Sequence, residues 1–426
     1  MPYRDGGTNV TSANTRKGKA MTTRRTILAA VAALPGLAAV PAFAQPAATR
    51  KLRIGVLNDQ SSLYADMGGP GSVVAARLAL ADADLTAKGW TFELVAADHQ
   101  NKPDVAVSIA RQWFDSGIDA VADVTNSAVA LAVSDIAREK NKVMLASGAA
   151  TSDLTGSACS PNTVHWTHDT WAFASAIGKA VVRTGGKDWF FITADFAFGH
   201  ALERDITKVI LANGGTVVGH TVAPNNTADF SSYLLQAQAS KAQVIGLANS
   251  GGDMVSSVKQ AAEFGIGKGG QRLAGLLIYI TDVHAMGLEF AQGLRLVSPF
   301  YWDMNDDTRA FSARFAAERG GVKPSMVQAG TYASILHLAK AAQALGSVAD
   351  GRAMVAQMKA MPTDDPLFGK GSIREDGRKI HPMFLFRVKS PGEQRYPWDY
   401  YAQEATIPAE EAFRPLAEGG CRLVKS

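Results

Sequence analysis

Short loops with small, polar side chains follow several apolar runs in this sequence. The loop "ASGAATSD" follows "KVML", and the loops "DVTNSAVA" and "LANSGGD" share its composition. Hydroxyl groups and free backbone N–H groups at the start of a helix are good partners for a carboxylate. Ser127 and Thr151 are therefore candidates for holding the anionic end of a ligand, and Asn126, Ala149 and Asn249 lie in the same loops.

The serines of these loops can also serve the fold alone. Ser127 and Ser152 each precede an amphipathic stretch, where a hydroxyl side chain commonly caps the first turn of a helix. For either serine taken singly, capping is the simpler interpretation. The repetition of such loops along one chain favours a binding site, so both interpretations stay open.

Catalytic motifs of the common kinds do not occur in the sequence. It lacks the G-x-S-x-G, P-loop, G-x-G-x-x-G and H-E-x-x-H patterns. His165 and His168 stand three residues apart, but "SPNTVHWTHDTW" shows no helical pattern that would bring both rings to one metal ion. We therefore expect neither a metal nor a cofactor, and we do not expect an enzyme.

Large aromatic side chains stand close to the polar loops. Tyr64 follows the first apolar run, Phe198 lies in "DFAFGH", and Trp302 belongs to the adjacent rings of "FYWD". Such rings can line a cleft and stack on a planar ligand, although core packing accounts for some of them equally well.

Apolar runs and amphipathic stretches alternate along the body of the chain, in two series at about 50–160 and 185–300. Continuous apolar runs followed by amphipathic helices are typical of parallel sheets that are covered on both faces. Ligands of such open sheets bind beyond the carboxyl ends of the strands, where the polar loops lie. The predicted strands are 52–59, 91–98, 120–124, 142–147, 188–194, 216–223, 243–249 and 273–281.

The first 44 residues read as an export leader. They hold six basic residues and one acidic residue, so the rest of the chain is close to neutral and offers no basic patch for nucleic acid. A twin arginine (Arg24, Arg25), an apolar run and the small-x-small motif "AFA" stand in the order of a cleavable signal. We expect a soluble periplasmic protein, exported by the twin-arginine or the general secretory route. Met1 and Met21 are alternative starts.

Two cysteines remain in the exported part, Cys159 and Cys421. In an oxidising compartment they form either one disulfide or two thiols, and the sequence does not decide between them.

The chain resembles the type I periplasmic solute-binding proteins of ABC importers, of the branched-chain amino acid and aromatic acid type. The resemblance covers nearly all of 51–426 and rests on "RIGVLNDQSSLYADMGGPGSVVAARLAL", "KVMLASGAATSDLT", "DFAFGHALERD" and "QAAEFGI". It implies two α/β lobes of doubly wound parallel sheets, joined by a hinge of three crossovers near 164–170, 296–302 and 361–367. Lobe 1 would comprise 50–166 and 301–361, and lobe 2 would comprise 167–300 and 362–426.

The resemblance also implies roles for particular residues. Ser127, Thr151 and the backbone of Ala149 would hold a carboxylate, and Phe198 would cover the ligand. Asp282 would receive the ammonium group of an amino acid. An aromatic acid would instead use the rings of Tyr64 and Trp302.

The function implied is capture of a small carboxylate-bearing solute by lobe closure, followed by delivery to an inner-membrane ABC permease. The protein would act as a monomer and would bind no nucleic acid. Two other functions stay open: sensing of the ligand for a membrane receptor, and an exported α/β hydrolase, for which no nucleophile–base pair is found.

Overall fold

The computed structural model describes residues 50–267 and 269–425. The predicted leader, with its twin arginine and cleavage motif, lies outside the described residues. Within the described ranges, no helix is long and apolar enough to cross a membrane.

The strands and helices alternate along most of the chain. The strands are β1 Arg50–Asn58, β2 Trp90–Asp98, β3 Ala120–Asp123, β4 Val143–Ala146, β5 Thr163–His165, β6 Asp188–Ala194, β7 Thr216–Ala223, β8 Val244–Ala248, β9 Arg272–Gly275, β10 Arg295–Ser298, β11 Thr363–Asp365, β12 Gly369–Ile373, β13 Lys379–Ile380, β14 Met383–Val388 and β15 Tyr401–Ile407. The helices are α1 Gly69–Asp82, α2 Pro103–Asp115, α3 Ser127–Glu139, α4 Thr170–Phe173, α5 Lys179–Arg183, α6 Ala197–Ala212, α7 Ser231–Ala239, α8 Gly252–Glu263, α9 Ile280–Met286, α10 Leu288–Ala291, α11 Asp306–Glu318, α12 Met326–Leu345, α13 Gly351–Ala360 and α14 Ala409–Ala412.

The first lobe is built on a parallel sheet with the strand order β2-β1-β3-β4-β5. Ile54 and Val56 face the core on the side of α1 and α12, whereas Leu57 and Val121 face the core on the side of α2 and α3. Side chains of a strand alternate between the faces of its sheet, so both faces must be covered for the run to be apolar throughout. The α/β prediction is confirmed.

The second lobe has a parallel sheet with the order β7-β6-β8-β9. The predicted strand 273–281 is wrong in its second half, because β9 ends at Gly275 and α9 begins at Ile280. The intervening residues Leu276–Tyr279 are buried without belonging to a strand. An apolar run reports burial, and it does not distinguish a strand from a buried loop.

Residues 363–380 differ from their predicted place in lobe 2. The strands β11–β13 form a small antiparallel sheet that packs against α12 and α13 of lobe 1. The N–H of His165 donates to the carbonyl oxygen of Gly377 at 2.9 Å, which attaches this sheet to the edge of lobe 1. The third passage between the lobes therefore lies between β13 and β14, at 381–382, rather than at 361–367.

The C-terminal tail returns from lobe 2 to lobe 1. In lobe 2, the Ser175 hydroxyl donates to the carbonyl oxygen of Glu411 at 3.2 Å. Further on, the guanidinium of Arg414 donates to the carbonyl oxygen of Ser152 at 3.0 Å, and Cys421 forms a disulfide with Cys159. The tail thus adds a covalently fixed connection between the lobes.

Candidate functional site between the lobes

The strand orders place a switch point in each sheet, where successive connections leave in opposite directions. In lobe 1 this point lies between β1 and β3, and in lobe 2 it lies between β6 and β8. Open α/β sheets bind ligands in the crevice beyond the carboxyl ends of strands at such points. The loops that follow these four strands should therefore form the site.

A small cavity lies between the lobes at this position, and we call it the interlobe cavity. Its walls combine aromatic and apolar side chains with a few small polar ones: Tyr64, Met67, Asn126, Ser127, Gly148, Ala150, Phe196, Phe198, Ser250, Leu277 and Tyr279. The first six belong to lobe 1 and the rest to lobe 2, so the cavity exists only while the lobes are closed on each other.

The N-terminus of α3 faces the interlobe cavity on its lobe 1 side. Asn126 caps the helix, because its Oδ1 accepts hydrogen bonds from the N–H groups of Ala128 and Val129. Ser127 follows, and its Oγ accepts the N–H of Thr151 at 3.1 Å. The Ser127 oxygen is thereby occupied as an acceptor, which leaves its own hydrogen to donate to a ligand.

A strained loop holds this helix end in place. Asp123, Val124 and Asn126 all have positive φ, at 71°, 50° and 76°. Such values are rare for side chains other than glycine, and rarest for a β-branched residue. Strain of this kind persists only where the surroundings enforce it, and it is enriched at functional sites.

Close packing around Gly148 accounts for the small side chains of the loop after β4. A Cβ placed on Gly148 would lie 2.5 Å from Cγ2 of Thr125 and 2.6 Å from Oδ1 of Asp123. The Asp123 carboxyl is buried with it, and burial raises its pKa to about 6 although Asn58 donates a hydrogen bond to it. The loops after β3 and β4 thus pack with their backbones in near contact.

Aromatic rings from both lobes form the opposite wall. Tyr64 of lobe 1 lies 6.4 Å from Phe196 of lobe 2, which lies 5.7 Å from Phe198 (ring centroids). Burial raises the pKa of Tyr64, although its hydroxyl hydrogen-bonds to Ser250 across the cleft. Tyr64 is therefore a neutral hydroxyl that contacts both lobes.

The family of this chain follows from its sequence as well as from this geometry. A family model described as periplasmic binding protein matches residues 51–393. The chain belongs to this family. Its members are binding proteins rather than enzymes, in agreement with the missing catalytic motifs, and the fold is the type I periplasmic binding protein fold.

Two solved structures of the family are similar over most of this chain. A periplasmic binding protein from Burkholderia mallei is 48% identical, with a TM-score of 0.85, and the match covers 88% of this chain and 99% of that one. A branched-chain amino acid ABC transporter periplasmic ligand-binding protein from Burkholderia xenovorans LB400 is 40% identical, with a TM-score of 0.78, covering 87% and 99%.

A more distant structure shares the fold. An ABC transporter solute-binding protein from R. palustris, solved in complex with benzoate, is 21% identical with a TM-score of 0.76 over 87% of this chain and 99% of that chain. No curated protein matches the chain at a significant level.

The predicted site residues of this periplasmic binding protein separate into two groups. Tyr64, Asn126, Ser127 and Phe198 line the interlobe cavity. The others do not: Ala149, Thr151, Asn249, Asp282 and Trp302.

Ala149 and Thr151 flank residues that line the interlobe cavity, and their polar groups are engaged elsewhere. The carbonyl oxygen of Ala149 lies 2.8 Å from Nε2 of His165. The hydroxyl of Thr151 donates to Oδ2 of Asp153 at 3.2 Å and accepts the N–H of the same residue. In the closed structure, Thr151 therefore offers a ligand no free hydroxyl.

Asp282 has partners in the protein instead of an exposed position in the interlobe cavity. The backbone N–H groups of Tyr279 and Gly251 donate hydrogen bonds to its carboxylate, at 2.9 Å for Tyr279. Burial raises the pKa of Asp282 to about 7 in spite of these bonds. Its place three residues after Tyr279, at the first turn of α9, is the usual position of an acidic cap.

Asn249 and Trp302 do not line the interlobe cavity either, and both have partners elsewhere. The amide of Asn249 donates to the hydroxyl of Ser257 on α8 at 3.2 Å. The indole N–H of Trp302 donates to the carbonyl oxygen of Trp398 at 2.9 Å, and its ring packs edge-on against Tyr396. Trp302 thus belongs to an aromatic cluster with the segment before β15.

His165 and His168, the two histidines of "HWTH", are buried. Within the described ranges 50–267 and 269–425, no group of three His, Cys, Asp or Glu side chains is placed to hold a metal ion. Burial lowers the pKa of His168 to about 3, so its ring is neutral.

Polar contacts beside the interlobe cavity join the lobes directly. Arg204 on α6 contacts Asp153 at 3.0 Å and donates to the hydroxyl of Ser152 at 2.9 Å, both in lobe 1. The Ser152 hydroxyl donates in turn to Asp205 at 2.7 Å, and Thr170 donates to the same carboxylate. We call this set the interlobe network.

Sequence reasoning missed seven residues of the interlobe cavity: Met67, Gly148, Ala150, Phe196, Ser250, Leu277 and Tyr279. Gly148 and Ala150 are neighbours of the predicted Ala149. Ser250 lies in the loop "LANSGGD", next to the predicted Asn249. Phe196 lies in "DFAFGH", two residues before the predicted Phe198. Leu277 and Tyr279 fall inside the predicted strand 273–281, so the sequence did not indicate that they lie in a loop at the site. Met67 carries no sequence signal beyond its place in the first loop.

Proposed function

We propose that this periplasmic binding protein captures a small carboxylate with an apolar body in the interlobe cavity and delivers it to an ABC permease of the inner membrane. The observation that carries the proposal is the composition of the interlobe cavity, in which a helix N-terminus with a hydroxyl faces a wall of aromatic rings. A solute of this kind matches both ends of the site at once.

The carboxylate would lie against the start of α3. The helix macrodipole places partial positive charge there, and the Ser127 hydroxyl has its hydrogen available. The lack of a side chain on Gly148 lets the loop after β4, which also lines the interlobe cavity, pack closely against the loop before α3. The apolar body would then pack between Tyr64, Phe198 and Leu277, where each Å² of buried apolar surface contributes about 25 cal/mol.

The interlobe cavity favours a ligand without an ammonium group. None of the residues that line it is acidic. Asp282, the expected ammonium partner, is turned to the backbone of Tyr279 and Gly251. Burying an ammonium without a partner is costly, so an aromatic or aliphatic acid fits better than an amino acid.

Capture would proceed by closure of the lobes about their hinge. The interlobe cavity draws its lining from both lobes, so a ligand that fills it stabilises the closed form by its differential affinity. We propose that the protein works as a periplasmic monomer, exported through the leader in residues 1–44, and that a membrane permease accepts the closed form.

The proposal is tested by pairs of acids that differ only in the α-amino group. Titration calorimetry of the chain from Gln45 with phenylalanine and 3-phenylpropanoate, and with leucine and 4-methylpentanoate, should show tighter binding of the acid without the amine. Tighter binding of the amino acids would contradict the assignment of the ligand class. No binding by any of the four would contradict the carboxylate site for acids of this size.

A further inference from the structure

A second cavity adjoins the interlobe cavity at Tyr279, and we call it the rear cavity. It is small as well, and Tyr279 lines both cavities. The rest of its wall comes from the hinge, from the start of α12 and from β15: Ile278, Ile280, Ser298, Phe300, Tyr301, Pro324, Met326 and Tyr401.

The rear cavity contains a polar group that has no partner. The hydroxyl of Tyr401 is buried and makes no hydrogen bond among the described residues, and the residue as a whole is 6% exposed. Two other hydroxyls of this wall have partners, since the Ser298 hydroxyl donates to the carbonyl oxygen of Phe300 and the Tyr301 hydroxyl donates to that of Trp398. Burial raises the pKa of Tyr401, so the hydroxyl keeps its proton and can donate. Leaving such a group unpaired has a cost that binding could relieve.

Tyr279 is the one residue that the linings of the two cavities share. Its backbone is fixed, because its N–H donates to Asp282 at 2.9 Å. Its ring packs against His168 at 6.1 Å, and both ring nitrogens of His168 are buried without partners in the described chain. A rotation of the Tyr279 side chain would therefore connect the two cavities without moving the main chain.

We propose that the rear cavity is an extension of the ligand site that takes a distal hydroxyl or carbonyl group of the ligand, with Tyr401 as its hydrogen-bond partner and Tyr279 as the gate. This rests on the proposed function, because it assumes that a carboxylate occupies the interlobe cavity. It narrows the ligand to an elongated acid with polar groups at both ends. Tyr279 and Tyr401 then determine specificity.

The test compares acids that differ by one distal hydroxyl: benzoate with 4-hydroxybenzoate, and 3-phenylpropanoate with 3-(4-hydroxyphenyl)propanoate. In the wild type, at least one hydroxylated acid should bind about 10-fold more tightly than its partner, as expected for pairing of one buried hydroxyl. In Tyr401→Phe the ratio of the two dissociation constants should fall close to one. Tyr233→Phe is the matched control, since Tyr233 lies on α7 and lines neither cavity, and it should keep the wild-type ratio.

A second pair of variants examines the gate. Tyr279→Ala should raise the affinity for the longer hydroxylated acid relative to the shorter one, whereas Tyr279→Phe keeps the ring and should leave their order unchanged. Thermal melting of each variant establishes whether it is folded. If Tyr279→Ala does not fold, the ratio of dissociation constants in Tyr401→Phe tests the proposal.

The outcomes separate the two proposals. If the acids bind and the ratio is the same in Tyr401→Phe as in the wild type, the extension is refuted while the carboxylate site stands. If no acid binds to the wild type, the carboxylate site is refuted and the extension falls with it.

Discussion

The hydroxyl oxygen of Ser127 accepts the backbone N–H of Thr151 at a distance of 3.1 Å. This bond joins the start of α3 to the loop after β4, the two elements from which the sequence predicted a pair of ligand-binding hydroxyls. The two residues therefore act differently. Ser127 orients the loop and presents its own hydrogen to the interlobe cavity, whereas the Thr151 hydroxyl is engaged with Asp153.

Replacement of Ser127 by alanine should weaken both ligand binding and folding. It removes a donor to the ligand and leaves the buried N–H of Thr151 without its acceptor, at a cost of ~1–3 kcal/mol. Titration calorimetry and urea unfolding measure the two effects. Thr151→Val should weaken binding less, because its hydroxyl does not face the interlobe cavity, and a larger loss for Thr151→Val would reverse the roles assigned here.

Replacement of Gly148 by alanine should destabilise the protein by ~1–3 kcal/mol, the usual cost of overpacking. The new methyl group would lie within 2.6 Å of both Thr125 and Asp123, in a loop that is already strained. Equilibrium unfolding in urea measures the change. Gly392→Ala is the control, since no atom lies within 4 Å of its Cβ position. Equal stabilities of the two variants would show that the backbones of the two loops are not in close contact.

Replacement of Arg204 by methionine should lower ligand affinity about 2- to 5-fold, because the interlobe network favours the closed form. Arg204 is half exposed, so its ion pair contributes only ~0.5–1 kcal/mol. The control is Arg77→Met, which breaks an ion pair with Glu318 inside lobe 1. Small-angle scattering should show a more open unliganded form for Arg204→Met alone. The same affinity in both variants would rule out a contribution of the network to closure.

Reduction of the disulfide should lower the stability of the protein by ~2–4 kcal/mol. Cys159 and Cys421 are separated by 262 residues, and the bond fixes the tail that returns from lobe 2 to lobe 1. Guanidinium unfolding with and without a phosphine reductant measures the change. Cys421→Ser should be as unstable as the reduced wild type and should not respond to reductant. A wild type that is unaffected by full reduction would mean that the tail is held by its other contacts.

The sequence predicted the fold well because a strand that is buried on both faces of a parallel sheet has a continuous apolar run. Ile54 and Val56 of β1 point to one core and Leu57 points to the other, and the residues from Ile54 to Leu57 are all apolar or glycine. The third passage between the lobes was misplaced, because the attachment of β11–β13 to lobe 1 depends on contacts such as that between His165 and Gly377. Contacts between residues so far apart in the chain have no local signature.

The candidate site was predicted where one loop supplied both the signal and the residue, as for Asn126 and Ser127. The prediction of a site residue was wrong where its side chain has another partner in the protein. Asp282 is an acidic residue in a suitable loop, but its carboxylate is committed to the N–H groups of Tyr279 and Gly251. Trp302 is committed to Trp398 in the same way. Residue type shows what a side chain can bind, whereas only the structure shows what already binds it.

The most direct test of the central claim compares carboxylates with their neutral amides. Thermal-shift measurements on the chain from Gln45 would use benzoate, 3-phenylpropanoate and 4-methylpentanoate, each beside the primary amide of the same shape. An acid that binds should add ~2.7 kcal/mol of stability at 100 times its dissociation constant, and its amide should add far less. Equal shifts for an acid and its amide, or no shift with any acid, would contradict a carboxylate site between the lobes.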